Sequence, residues 1–577
     1  METKGYTQDG SVDLRGRPVL ASRTGRWRAC AYLVAGYEAF ERMAFYGVAS
    51  NLVVYLTTQL HEETVSSVRN VSNWSGSVWI TPIIGAYIAD TYLGRFWTFT
   101  ISSLIYVLGM MLLTVAVSLK SLKSSPSQVV VVYAALYVMA VGAGGTKPNI
   151  STFGADQFDD FDPHERRLKE SFFNWWMFSS FTGGLAASLG LVYVQENVGW
   201  GLGYGIPTAG LMLSLLIFYL GTPNYRHKMR RTKSPTKVIA RVLAAAFANR
   251  RLKRTDDAAE LYELEPQHYA ITGKRRVHHT SAFRSVLGQG GCERVRKRRA
   301  VHGDPSGGDE ACAGHEHGVA HHAGPCTIWA QVNTLFVKQG TTLDRSFGGG
   351  FRLPAASLGS LITLSMLLTV PFYDRLLVPL ARRRTGNPRG ITLLQRLGVG
   401  FFFHVLVTAV AYLVELRRMR VIRQHSITAP DAIVPMSIFW LLPQYVLLGI
   451  GDVFNAIGIL EFFYDQSPED MQSLGTTFFT SGIGLGNFLN SLLITVVDKA
   501  TSGSSWIGNN LNESHLDYYY AFLMVISGIN LGVFVWFARC YRYKKETLEV
   551  MEGKVCIQME AKAEEGPAPA TSLGVHV

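Results

Sequence analysis

Residues 31–55 read AYLVAGYEAFERMAFYGVASNLVVY, a stretch apolar enough to cross a membrane, with Glu38, Glu41 and Arg42 in its middle. A charged side chain at bilayer depth costs roughly 3 kcal/mol even on the lenient insertion scale. Three so close together are tolerated where they face a polar cavity and answer one another. At i, i+3 and i+4 they fall on one helical face, so a shared inward-pointing cluster is geometrically easy. A surface amphipathic helix is the plainer alternative, but the flanks 31–35 and 48–55 are apolar on every side. The stretch reads as an intramembrane ion cluster, which usually marks a substrate or proton path.

The rest of the chain agrees. Its 577 residues are 48% hydrophobic and 17% charged, and mean hydropathy is +0.14, poor in charge for a soluble protein. Apolar runs recur at 99–119, 129–141, 184–194, 205–220, 358–370, 399–414, 433–450, 482–497 and 519–537. A crossing needs about 20 mostly apolar residues. These runs and the polar-interrupted segments between them therefore predict roughly twelve helices and an all-α polytopic membrane protein. The net charge of +12 comes from basic residues in loops, which is topology rather than a nucleic-acid footprint. Six cysteines make no disulfide framework in so long a chain. Residues 1–28 are polar and basic with no apolar signal core, so insertion is expected to rely on the first span.

The basic segments 15–28, 226–299, 382–384 and 539–545 place both termini in the cytoplasm, with 417–423 as an outside exception to the rule. The outer loops would include 61–70 and 501–517, the latter holding the sequon Asn512-Glu-Ser514, a candidate glycan site. Two apolar blocks, 29–221 and 326–541, flank a polar connector at 222–325, with cytoplasmic tails at 1–28 and 542–577. Six plus six spans around a connector is how transporters built from two halves look; two unrelated membrane domains is the alternative.

Further motifs narrow the class. After the second span, Gly85-Ala-Tyr-Ile-Ala-Asp90-Thr-Tyr-Leu-Gly94-Arg95 combines helix-approach glycines with an acid and a base that can bond across a cytoplasmic loop. Residues 142–159, GAGGTKPNISTFGADQFD, place Lys147 at the end of a small-residue helix, and Leu460-Glu461-Phe-Phe-Tyr464-Asp465-Gln466 closes the tenth span. The loop resembles the signature of the major facilitator superfamily. The whole set resembles the proton-dependent oligopeptide transporter family, and stretches 336–345, 386–396 and 509–520 are similar to its plant nitrate/peptide transporter branch, closest to the peptide-transporter-like members.

The resemblance implies a major facilitator fold of two six-helix bundles joined by a long cytoplasmic connector. It also implies Glu38 and Glu41 as proton-coupling carboxylates with Arg42 as their partner. Lys147 and Glu461 would form the ion pair between the halves, and Arg42, Tyr46, Lys147, Gln331 and Glu461 would line the substrate site. Lys147 snorkelling to the interface, Glu461 as an interfacial charge and Tyr46 as a core aromatic stay open. Thr98 aligns with a threonine phosphorylated in a nitrate sensor of the family; an unmodified helix-start threonine is preferred. Where the family's nitrate carriers have a histidine before Ala-Gln on the seventh span, this chain has Trp329, which cannot become a cation. That favours small peptides over nitrate. The expected partners are protons, a small peptide or nitrate-like anion, and the lipid bilayer of a plasma or vacuolar membrane. No nucleic acid, cofactor or metal is called for, nor any enzyme chemistry.

One stretch departs from the pattern. Around 285–324 the composition turns basic and Gly/Ala-rich, with five histidines and two cysteines crowded between Cys292 and His322. Metal binding lacks a framing pair; a disordered linker or a shifted reading frame are the other readings. Residues 326–337 would then give a seventh span too short to cross, and a transport-inactive membrane sensor or scaffold is the rival to a carrier.

Overall fold

The computed structural model describes residues 6–7, 9–119, 126–159, 161–228, 324–348, 350–385, 391–430, 432–466, 472–501 and 505–540. The 285–323 stretch thus lies outside the described residues. Nine described helices are long and apolar enough to cross a membrane: Arg95–Ser118, Ser127–Ala155, Pro163–Asn197, Trp200–Leu220, Ala355–Thr385, Leu393–His425, Ile438–Ala456, Thr480–Ala500 and Leu516–Trp536. We number these spans 3–6 and 8–12. Span 1 is a chain of helical pieces, Arg26–Leu33, Val34–Glu38, Ala39–Ala49 and Leu52–Thr58, and span 2 is Thr64–Ile88. Their charged and polar residues explain why apolar composition alone passes them over. Side chains such as Ile101, Leu104, Leu108, Leu216, Ile529 and Trp536 stand exposed. In water such a belt would be a liability; in lipid it is the solvent-facing surface.

The helical path of the seventh segment, span 7, runs from 324 through the 3-10 turn Ala330–Asn333 to Leu335–Thr341, and it is not among the described helices long and apolar enough to cross a membrane. The path breaks at Thr334, which leaves helical geometry at φ −129° and ψ −101°.

Small residues let the spans of the first block approach closely. A Cβ on Gly85 would run into the Gly144 carbonyl, and one on Gly142 would lie 2.5 Å from the Tyr106 nitrogen. The small-residue run of span 4 is thus the surface on which spans 2 and 3 pack. Its tail has a matching structural task. Arg95, at the end of the signature loop, pairs with Asp156 at 2.5 Å rather than with Asp90. Gln157 accepts from the Arg226 backbone N–H at 2.8 Å and donates back to the Arg226 carbonyl at 3.0 Å. Thr98, in the first turn of span 3, is 3% exposed.

Part of the outside basic exception has a physical reason. Arg418 is wholly buried and donates to both oxygens of Glu415 at 2.7–3.0 Å, to the Leu511 carbonyl at 2.6 Å and to Asn512 Oδ1 at 3.1 Å. Arg417 lies over the Trp440 ring at 3.8 Å. Asn512, read as a glycan acceptor, is 2% exposed and donates its amide hydrogens to the Ala429 and Ala432 carbonyls at 3.0 and 3.1 Å. A sugar on that nitrogen has no room, so the sequon reading is corrected to a structural bolt. Arg418→Ala should lower folding stability by about 3–5 kcal/mol, because it strands the Glu415 carboxylate in a dry site. Thermal unfolding in detergent reads this, and a loss under 1 kcal/mol would show that the network contributes little.

Candidate functional site

The ion cluster sits where span 1 changes helical pitch. A π-helical turn, Val34–Glu38, runs directly into Ala39–Ala49; such wide turns re-aim the residues that follow and are frequent at functional sites. Span 5 has its own π-turn at Ala186–Leu191, and the two helices touch beside it. A Cβ on Gly183 would collide with the Ala39 carbonyl and stand 3.0 Å from Arg42 Cβ. Only glycine allows this approach, and it brings Ser180 of span 5 against the cluster. Gly183→Val should therefore push span 5 off span 1. The expected cost is about 1–3 kcal/mol of stability, read by thermal unfolding; a parent-like value would refute the close contact.

Glu38 and Glu41 are 1% and 2% exposed. Arg42 Nε donates to Glu38 Oε1 at 2.8 Å and to Ser180 Oγ at 3.0 Å, and stands 3.5 Å from Glu41 Oε2. Ser180 in turn donates to Glu38. Glu38 is therefore doubly held, whereas Glu41 Oε1 is buried with no hydrogen-bond partner among the described residues. The two carboxylates are unequally bonded: Glu38 accepts from both Arg42 and Ser180, whereas Glu41 has one buried oxygen without a partner among the described residues.

Lys147 does not snorkel outward. Pro148, next to it, cannot bond the Gly144 carbonyl, and Asn149 Nδ2 covers the neighbouring Gly145 carbonyl at 2.8 Å. The ammonium is buried without an acceptor among the described residues. It lies 3.7 Å from the ring centroid of Phe45 and 4.1 Å from that of Trp79. An aromatic pair of this kind offsets part of the cost of burying a cation, by up to about 2 kcal/mol, and leaves its three donors unspent. Tyr46 is half-buried and packs edge-on to Phe45 at 5.2 Å. The first-block cluster thus brings together two carboxyl and two basic groups, with one carboxylate oxygen and the Lys147 nitrogen without a partner among the described residues.

The second block contributes less than the sequence reading expected. Glu461 lies on the helix Leu442–Gln466, but its side chain is outside the described residues, so its pairing with Lys147 remains a proposal. Gln331, read as a substrate ligand, is fully buried and donates to the Thr327 carbonyl at 3.1 Å and to Asn490 Oδ1 at 2.6 Å. Asn490 passes the chain on to Ser72 Oγ at 3.0 Å, linking spans 7, 11 and 2. Gln331 is thereby a member of a bridge between the halves, with only its Oε1 unbonded. Further bridges join Asn509 to the Thr64 N–H at 2.9 Å, Lys338 to Thr57 at 3.2 Å and Arg345 to Glu196 at 2.9 Å. Spans 2 and 11 also meet where a Cβ on Gly76 would lie 3.1 Å from the Gly484 carbonyl. Ser180, Phe45, Trp79, Ser72 and Asn490 went unnoticed in the sequence. Neutral polar and aromatic residues are ordinary in membrane helices, and nothing local marks them.

Comparison with known proteins follows the same lines. A model described as the POT family matches residues 96–295 and 325–509, leaving between its two blocks a gap that lies within the anomalous 285–324 stretch. Protein NRT1/ PTR FAMILY 5.1 of Arabidopsis thaliana is 62% identical over 97% of this chain and 98% of its own. NRT1/ PTR FAMILY 5.2 of the same plant is 46% identical over 95% and 97%. Among solved structures, an auto-inhibited POT family peptide transporter superposes with a TM-score of 0.68 at 23% identity, covering 89% of this chain and 98% of its own. The POT family transporter PepTSo gives 0.69 at 22%, with the same coverages. At those identities the structures establish the fold alone, a polytopic bundle of membrane-length helices.

Proposed function

Because the chain belongs to the POT family, whose members are transporters and not enzymes, we propose that it is a proton-coupled symporter of small peptides working by alternating access. The observation that carries this reading is the unequal pair of carboxylates around Arg42, beside an uncommitted Lys147 ammonium. A peptide's terminal carboxylate entering the cluster would be drawn to Lys147 and Arg42. In engaging Arg42 it would loosen the contact to Glu41, and the released carboxylate would take up a proton to avoid standing uncompensated in a dry site. Proton and substrate would then move together as a neutralised load. The bridges at Thr57, Thr64, Ser72 and Glu196 support reading this conformation as one closed at its outer end, with opening there requiring those bonds to break.

Nitrate is the competing cargo. Against it, the site's two cations come with two carboxylates and an aromatic floor, and Trp329 stands in place of a titratable histidine. Uptake of a labelled dipeptide in cells lacking peptide carriers, competed with excess unlabelled dipeptide or excess nitrate, separates the two. Competition by dipeptide alone is expected. Nitrate accumulation that dipeptide does not reduce would overturn the peptide assignment. Labelled carrier at the plasma or the vacuolar membrane would show which one houses it.

A further inference from the structure

The second block holds an ionisable pair that the transport reading does not use. His404, on Leu393–His425 (span 9), is 2% exposed, and Asp452, on Leu442–Gln466 (span 10), is 8% exposed. His404 Nδ1 lies 2.7 Å from the Gly400 carbonyl oxygen. A carbonyl only accepts, so at that distance Nδ1 carries a hydrogen. His404 Nε2 faces Asp452 Oδ1 at 3.6 Å and has no hydrogen-bond partner among the described residues.

With Nδ1 committed as a donor, a neutral imidazole presents a lone pair at Nε2, and an ionised Asp452 presents another. Two acceptors facing each other in a buried site repel. The arrangement is favourable only with one proton between them, held either as an imidazolium beside a carboxylate or as a neutral imidazole beside a carboxylic acid. A Cβ on Gly400 would lie 2.9 Å from the Asn455 backbone nitrogen, so this glycine lets spans 9 and 10 approach closely beside the ring. The charged and titratable groups nearby are few. Asp452 acts electrostatically on Cys326 of span 7 and on Tyr46 of span 1, and Arg396 of span 9 donates to the Val453 carbonyl at 3.3 Å.

We propose that His404 and Asp452 form a second proton-binding site, in the opposite half from Glu38 and Glu41, in which one proton is shared between Nε2 and the carboxylate. The site places a protonatable pair in each half of the carrier.

The test does not depend on which substrate is carried. Full-length protein labelled with nitrogen-15 histidine is purified in detergent, and the His404 resonances are assigned by their loss in His404→Gln. At neutral pH, Nδ1 is expected to be protonated and Nε2 to be either protonated or strongly hydrogen-bonded. In Asp452→Asn, where no carboxyl shares the proton, Nε2 should shift to an amide-bonded or free nitrogen. A parent spectrum with bare Nδ1, or with Nε2 at the position of an unbonded nitrogen, overturns the proposal even if the variants do not fold. An unchanged His404 signal in folded Asp452→Asn overturns it too.

Discussion

Arg42→Gln should reduce dipeptide uptake by about a hundredfold per carrier at the membrane, the rate equivalent of roughly 3 kcal/mol. The guanidinium is the one cation bonded to Glu38 and close to Glu41. Without it, two carboxylates share a buried site with, among the described residues, only the Ser180 hydroxyl donating to them. One must then remain permanently protonated to relieve the repulsion, and a carboxyl that never ionises cannot cycle a proton. Removing one member of a buried pair also costs about 3–5 kcal/mol of stability, so uptake must be normalised to folded carrier. Arg42→Lys separates the two effects. Its ammonium restores a positive charge and part of the stability, but it lacks the planar fork that lets one group face Glu38, Ser180 and Glu41 together. Stability is expected to recover more than uptake does. Parent-like uptake in Arg42→Gln would remove the cluster from the mechanism.

Lys147→Met should separate function from stability in the opposite direction. The ammonium is buried, has no acceptor among the described residues and rests on Phe45 and Trp79. Methionine fills a similar volume, needs no hydration and packs well against aromatic faces. It should leave thermal stability equal to or above the parent's while uptake falls at least about tenfold, a loss of roughly 1.4 kcal/mol or more of substrate interaction. A residue that destabilises the resting protein yet supports its activity is what a binding site built from uncompensated groups requires. A Lys147→Met carrier that is less stable than the parent would show that the ammonium holds the bundle together rather than waiting for a ligand.

The parts of this molecule legible in the sequence are those where chemistry and environment clash. Glu38, Glu41 and Arg42 stand out because charge in an apolar run demands an explanation, and their i, i+3, i+4 spacing already fixes them to one face. Lys147 stands out for the same reason. What stayed hidden depends on chain-distant encounters. Ser180 lies 142 residues from Glu38, and its neighbourhood is an unremarkable polar patch until Gly183 brings span 5 onto span 1. Asn490 and Ser72 are 418 residues apart, and the bridge they make with Gln331 has no local signature. The sequon at Asn512 shows the converse error: a motif defined by three neighbours says nothing of the Arg418 network that encloses it. Within 417–423, Glu415 answers only Arg418, within one helical turn, while Arg420 and Arg423 stay exposed.

The most direct measurement of proton coupling uses purified carrier in liposomes that enclose a pH-sensitive dye, with no imposed gradient. Adding dipeptide outside should acidify the lumen as protons enter with the cargo, and Glu41→Gln should abolish that signal while still binding the peptide. Labelled dipeptide entering the liposomes with no change in luminal pH would contradict the proton-coupled account.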